Sequence, residues 1–266
     1  MKVINKELEI LKKYIANSFK EPLLNNEISD FMLGPSKRIR SCLALLYIKS
    51  QGIEVTDEIY RILAAGEILH NASLLHDDVI DDSEKRRGNI TIAKKYSPKL
   101  AILAGDYLLA LCFELLAKMK ESIIESFKDC AKKMVQAEII QYTNRGKYIS
   151  SNDYIETCKN KTASLFTTIL QCTAIVSNSD STKAKIFAEK FGIVFQIKND
   201  LEDTSAENDK KNKIFTANDI LGIEKTAQLL DNYKEEMLLL LKDVPNNTYK
   251  KTLKDLIINL CTIERS

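Results

Sequence analysis

Apolar residues along this chain recur at three- and four-residue spacings, the rhythm of helices with one buried face, and no stretch sustains the two-residue alternation of a half-buried strand. Only 8 glycines and 4 prolines interrupt the runs, so helices are expected almost throughout. The predicted fold class is all-α. At about 12 residues per helix, roughly ten to thirteen helices fit the available length. Residues 3–19 read as an amphipathic opening helix, and Gly34 and Pro35 punctuate a loop before a helix that begins near Lys37. Thr56 and Asp57 are suited to cap a long apolar helix running to Ile80, and Ser97 followed by Pro98 makes an N-cap and N1 pair for the next. Ser150 to Asp153 open another long helix that contains Lys161. Thr204 to Lys213 is polar and lysine-rich and reads as a mobile segment, and two further helices close the chain.

Composition narrows the class. A chain of 266 residues, 45% of them hydrophobic, is enough for one sizeable core, and no Pro/Gly/Ser linker divides it, so one domain over 1–266 is expected. The 6 cysteines are scattered singly without a CxxC pair, and the N-terminal stretch lacks a basic-then-apolar leader pattern, which suggests a reduced, cytoplasmic protein. No apolar run approaches the roughly 20 residues of a membrane span. A net charge of +2 with dispersed lysines gives no reason to invoke nucleic acid.

One segment resists a purely structural explanation. Residues Glu67 to Gly88, EILHNASLLHDDVIDDSEKRRG, hold both histidines of the chain, four aspartates within six positions and two adjacent arginines. At about 100° per residue, Asp77 and Asp81 lie on one side of the helix, one turn apart. Like charges at that spacing, at the negative end of the helix dipole, destabilise each other unless cations occupy them. Carboxylate oxygens without a cysteine or histidine cage suit Mg²⁺, which keeps waters and shares its shell with substrate phosphates. A solvated helix end is the bland alternative. Far downstream, FQIKNDLED repeats the design: an apolar helix delivers Asn199, Asp200 and Asp203. Alone this second motif is weak, since capping needs only Asn and Asp; its weight comes from the first. Lys37 and Arg40 sit three apart at a helix start, where side chains and backbone N–H groups can both face an anion, although a solvated face is an equal reading of these two alone. His70 precedes Asp77 by seven residues, on nearly the same face, whereas His76 suits a packing role.

These segments resemble the trans-isoprenyl diphosphate synthases, the polyprenyl synthetase family of head-to-tail prenyltransferases. The likeness runs in order through GPSKRIR (Gly34 to Arg40), HDDVIDDSEKRRG, AILAGDYLLA (Ala101 to Ala110), KTASLF (Lys161 to Phe166) and FQIKNDLED. DDVID is similar to the family's first aspartate-rich motif and NDLED to its second, with Asn199 in place of the usual first Asp.

The resemblance implies a helical bundle around a central apolar cavity, a Mg²⁺ cofactor and a homodimer. It implies that Asp77, Asp81, Asp200 and Asp203 hold the metal, and that Asp77, Asp78, Asp81, Arg86, Lys161 and Asp200 are catalytic. Arg86 and Lys161 would bind the allylic diphosphate, with Thr162 and Gln196 also touching substrate, while Lys37, Arg40, His70 and Arg87 would hold isopentenyl diphosphate. The implied reaction ionises an allylic diphosphate of geranyl or farnesyl type, condenses the cation with isopentenyl diphosphate and loses a proton. No side chain looks like a dedicated base, a role that falls in the family to the departing diphosphate. Small residues at Ala72 and Ser73, one turn below Asp77, imply a product longer than farnesyl, or else merely close helix packing. Lys210, Lys211 and Lys213 stand where the family carries a lysine-containing loop, here shortened, and no one of them can be assigned. Three alternatives remain in view: a non-catalytic partner subunit of such a synthase, a class I terpene cyclase, and a metal-dependent phosphohydrolase, which would need more histidines than this chain has.

Overall fold

The computed structural model describes residues 2–19, 27–34, 36–201 and 215–262. The all-α expectation holds. The helices are α1 (Asn5–Ser18), α2 (Glu27–Leu33), α3 (Ile39–Ser50), α4 (Asp57–Ile80), α5 (Ile92–Lys95), α6 (Pro98–Leu116) and α7 (Glu121–Thr143). They continue through α8 (Ser151–Thr157), α9 (Ser164–Val176), α10 (Ser181–Leu201), α11 (Ala217–Leu221), α12 (Ile223–Leu240) and α13 (Thr248–Cys261). Three capping expectations are met: Thr56 Oγ1 accepts from the Ile59 N–H, Ser97 Oγ from Leu100 with Pro98 in the first turn, and Ser150 Oγ from Asp153. Such caps each contribute about 1 kcal/mol.

Among the described residues, backbone contacts divide the chain into two compact units, one within 1–45 and 55–124, the other within 46–54 and 125–266. The first is organised on α4, where Ile62 to Leu69 are buried all the way round, the mark of a helix enclosed by others. Its main neighbour is α6. Gly105 makes their approach possible: a Cβ there would lie 2.2 Å from His76 Nε2. His76 also sits 3.3 Å from Asp106 Oδ1 and 3.3 Å from the Ile102 carbonyl, so it packs α4 onto α6, as its sequence context suggested. The run Tyr107 to Leu116 faces mainly inward, with Leu108, Leu111, Cys112 and Leu116 buried, while Ile102 and Leu103 of the same helix are exposed.

The second unit is organised on α10, which touches α9, α11, α12 and α13. Phe166 on α9 meets Phe191 and Phe195 of α10 at ring-centroid distances of 5.5 and 5.3 Å. Gly192 permits the backbones to come together, since a Cβ would lie 2.4 Å from Ala163 Cα.

Two features depart from the sequence reading. The long helix expected to carry Lys161 is not uniform: between α8 and α9, Cys158–Ala163 forms a π-helical segment. A two-stranded antiparallel hairpin, β1 (Lys85–Arg86) with β2 (Asn89–Ile90), follows α4 although no strand was expected. Strands of two residues are too short for a hydrophobic period to betray them. All 6 cysteines are buried and none is in a disulfide. The lysine-rich segment Thr204 to Lys213 lies outside the described residues.

Candidate active site

At the end of α4 the helix stops at Asp81, its C-cap, whose N–H still bonds to the Asp77 carbonyl at 2.8 Å. Asp77 and Asp81 thus occupy successive turns and are both half-buried, as the spacing predicted. Asp78 points elsewhere. It is only 1% exposed, and its Oδ1 receives the Arg86 Nε–H at 2.6 Å, while Oδ2 is buried without a hydrogen-bond partner. Burial raises its pKa, and Arg86 only partly offsets that. Asp78 therefore anchors Arg86 rather than joining the Asp77 and Asp81 pair.

The hairpin presents the arginines. Its two turn residues, Arg87 and Gly88, have φ of +52° and +82°, the positive values that tight type I′ hairpin turns demand. For an arginine this backbone is strained by about 1 kcal/mol or more, a cost typical of functional turns. Thr91 braces the hairpin base, its Oγ1 donating to the Ser83 carbonyl at 2.8 Å. The Arg87 guanidinium lies 6.0 Å over the Phe31 ring, and desolvation followed by the charges of Arg86 and Arg38 lowers its pKa, with Glu67 and Asp78 opposing.

His70 keeps part of its surface open to solvent, yet so many protein atoms crowd the ring that desolvation holds its pKa well below the usual imidazole value. The Arg40, Arg87 and Arg86 charges push the same way. Four of the predicted binders, Arg40, His70, Arg86 and Arg87, thus converge in one unit as three cations around a neutral imidazole. Lys37 is exposed two residues before α3, close in sequence to Arg40.

A base whose folded pKa is depressed loses folding stability as pH falls from about 6.5 toward the folded value, because only the unfolded chain gains the proton. Replacing His70 by Gln should flatten urea-derived stability between pH 7.5 and 5.5, and Arg40→Met should move the His70 NMR titration upward. Titration of His70 at or above 6.5 in the unaltered protein would contradict the cluster.

In the second unit the π segment carries Lys161 and Thr162. The Lys161 ammonium is 2.6 Å from Glu138 Oε2 and bonds to Gln141 Oε1, both on α7. Thr162 Oγ1 donates to Gln196 Oε1 at 2.6 Å, and Gln196 Nε2 donates to Asp200 Oδ1 at 2.7 Å. Asn199 sits half-buried on α10 beside Asp200. Asp203, Lys210, Lys211 and Lys213 lie outside the described residues. Lys198 is buried, unusual for a lysine, and donates to the Thr262 carbonyl just beyond α13 at 2.6 Å.

Several residues escaped the sequence reading. Glu67, 4% exposed and bonded by Ser41 Oγ at 2.6 Å, adds favourable charge toward Arg87; a carboxylate inside a fully buried helical run was the signal for it. Arg38, at φ +41°, reaches the Met32 carbonyl. Tyr154, Glu138 and Gln141 gave no local signal.

Among the described residues, no three Asp, Glu, His or Cys side chains converge as a closed metal cage. The donor set at the end of α4 is two carboxylates, which suits a hard cation that completes its shell with water and phosphate oxygens. No helix of the described chain is long and apolar enough to cross a membrane.

Residues 21–260 match the polyprenyl synthetase family. The decaprenyl-diphosphate synthase of Dictyostelium discoideum is 33% identical over 213 residues, covering 79% of this chain and 46% of that protein. The chain therefore spans about half of that relative's length. The crystal structure of a geranyltranstransferase from Thermotoga maritima superposes with a TM-score of 0.83 at 29% identity, covering 96% of this chain and 98% of that one. A heptaprenyl diphosphate synthase from Staphylococcus aureus shares the fold at TM-score 0.87, 23% identity, over 97% and 98% of the two chains. The chain belongs to the polyprenyl synthetase family.

Proposed function

We propose that this protein condenses isopentenyl diphosphate with an allylic diphosphate of geranyl or farnesyl type, releasing diphosphate and a longer all-trans prenyl diphosphate. The observation that carries this reading is the cation cluster of Arg40, Arg86 and Arg87 around His70, beside the Asp77 and Asp81 pair. Two diphosphates bring several negative charges into one site, and these residues supply both direct arginine contacts and carboxylates for bridging cations. Asp77, Asp81, Asp200 and Asp203 would hold Mg²⁺, which when bound neutralises the charge that grows on the leaving diphosphate. Arg86, its guanidinium fixed by Asp78, and Lys161, fixed by Glu138 and Gln141, orient and stabilise that same leaving group. Lys37, Arg40 and Arg87 hold the second diphosphate, and the neutral His70 ring can offer it a hydrogen bond without adding charge. The chemistry then depends on orientation within an apolar hollow that excludes water, which we place in a single functional domain over 1–266.

A cytoplasmic location accords with six buried cysteines, none of them in a disulfide. A homodimer is proposed as well, with the exposed apolar residues Ile102 and Leu103 of α6 as a candidate contact.

The deciding assay incubates the protein with Mg²⁺, labelled isopentenyl diphosphate and farnesyl or geranyl diphosphate. Elongated product supports the synthase; a cyclic hydrocarbon, or phosphate released without elongation, refutes it. Asn199 favours one second reading, a non-catalytic partner subunit, because an amide replaces a charge in the second acidic motif. Elongation only after adding another protein would select it.

Product length is proposed to depend on Ala72 and Ser73. Ala72 is 3% exposed, and Ser73 Oγ is tied to the His70 carbonyl at 2.8 Å. A phenylalanine at Ala72 forced into a packed core should cost about 1–3 kcal/mol, whereas one entering a tunnel should cost little. Ala72→Phe is expected to shift product chromatography to shorter chains with a melting temperature near that of the unaltered protein. Unchanged product length with a large loss of stability would make Ala72 a packing residue.

A further inference from the structure

We propose that Tyr154 is a positioning residue that holds the Asp200 carboxylate in its working orientation toward the diphosphate-bound cation; this rests on the function proposed above. Asp200 is gripped at both oxygens by donors from three places in the chain. Tyr154 OH on α8 donates to Oδ2 at 2.5 Å, Gln196 Nε2 one turn earlier on α10 donates to Oδ1 at 2.7 Å, and the Ala217 N–H at the start of α11 reaches Oδ2 at 3.3 Å. Donors on opposite oxygens fix the plane of a carboxylate as well as its position, which a single bond does not. The Gln196 amide is itself oriented, because Thr162 Oγ1 occupies its Oε1 and so directs its NH₂ toward Asp200.

Tyr154 suits the task because its ring is locked in place. The side chain is 5% exposed, so the hydroxyl needs a partner as much as Asp200 needs a brace. The π segment makes the arrangement possible. In a regular helix Tyr154 and Thr162, eight residues apart, would lie about 80° apart around the axis. In the wider turns of Cys158–Ala163 each residue advances by less than 100°, which shrinks that offset and lets both hydroxyls address one face of α10. Partners that orient metal-ligating groups typically alter metal affinity by about 10- to 100-fold when removed.

The test compares full-length protein carrying Tyr154→Phe, Asp200→Asn or both, with Mn²⁺ binding followed by electron paramagnetic resonance in the presence of inorganic diphosphate. Phe keeps the ring, and a melting scan confirms folding; if it melts below the assay temperature, Tyr154→Met serves instead. Tyr154→Phe should weaken Mn²⁺ binding about 10-fold or more and lower kcat, leaving KM for isopentenyl diphosphate unchanged. The double variant should bind no more weakly than Asp200→Asn alone, since Tyr154 acts only through Asp200. Binding by Tyr154→Phe at the unaltered affinity, or effects that multiply in the double variant, would overturn the positioning role while leaving the synthase reading intact. If Asp200→Asn also binds normally, the metal role of Asp200 falls with the proposal, and the elongation assay still judges the synthase reading separately.

Discussion

Asp77→Asn is expected to lower kcat for prenyl elongation by about a thousand-fold, equivalent to about 4 kcal/mol of lost transition-state stabilisation, without weakening the fold. The two halves of this expectation share one cause. Asp77 and Asp81 stand on consecutive turns at the carbonyl end of α4, where each carboxylate opposes both its neighbour and the helix dipole. Removing one charge relieves about 0.5 kcal/mol of repulsion, so the melting temperature should hold to within about 1–2 °C. Activity then falls while stability holds, which separates a carboxylate that serves the site from one that serves the fold. Single-turnover rates with saturating Mg²⁺, measured beside a thermal melt, check both halves. A variant that melts much lower yet turns over at nearly the original rate would show that Asp77 is structural.

The largest stability effect is expected at the pair behind that site. Arg86→Gln should destabilise the protein by about 3 kcal/mol, or about 6–12 °C in melting temperature. The reason is asymmetry of burial: Asp78 is 1% exposed and Arg86 26%. The carboxylate has one oxygen on Arg86 and the other buried without a hydrogen-bond partner, so loss of the guanidinium strands a desolvated charge. Arg86 keeps a quarter of its surface in water, which places the loss at the lower end for a broken buried pair. Adding Asp78→Asn to Arg86→Gln should recover much of the stability, because the stranded charge disappears with its partner. Recovery of stability need not restore activity, since the proposed leaving-group contact of Arg86 is still missing. Urea denaturation of the two single variants and the double variant measures the coupling. Additive losses would mean that the two side chains stabilise the fold independently.

The two tests probe different relations between sequence and structure. The Asp77 and Asp81 spacing was legible because it lies within one helix, where 3.6 residues per turn convert position directly into direction. The same rule placed His70 on the face of Asp77, and the arginine and histidine cluster then appeared around it. Asp78 shows where the rule stops. It stands next to Asp77 in sequence, yet its partner is delivered by a hairpin whose turn requires positive φ at Arg87 and Gly88, a backbone choice with no hydrophobic period behind it. Lys198 is similar: nothing local marks this lysine as buried, and its partner is a carbonyl that the chain beyond α13 brings to it.

By itself, the sequence determined the helical class, three helix starts through their caps, the two acidic motifs and the candidate binders, since all of these are local periodicities or adjacent residue types. Only the tertiary structure decided that Asp78 belongs to Arg86, that Lys161 is held by Glu138 and Gln141, and that Tyr154 and Gln196 clamp Asp200. Those pairings join residues from 4 to 46 positions apart, and even the closest of them depend on rotamers and packed neighbours. A π segment, moreover, changes the angular rule on which sequence spacing relies. The physical reason is general: periodicity reports which face of an element is buried, whereas the partner met on that face is chosen by packing between elements distant in the chain.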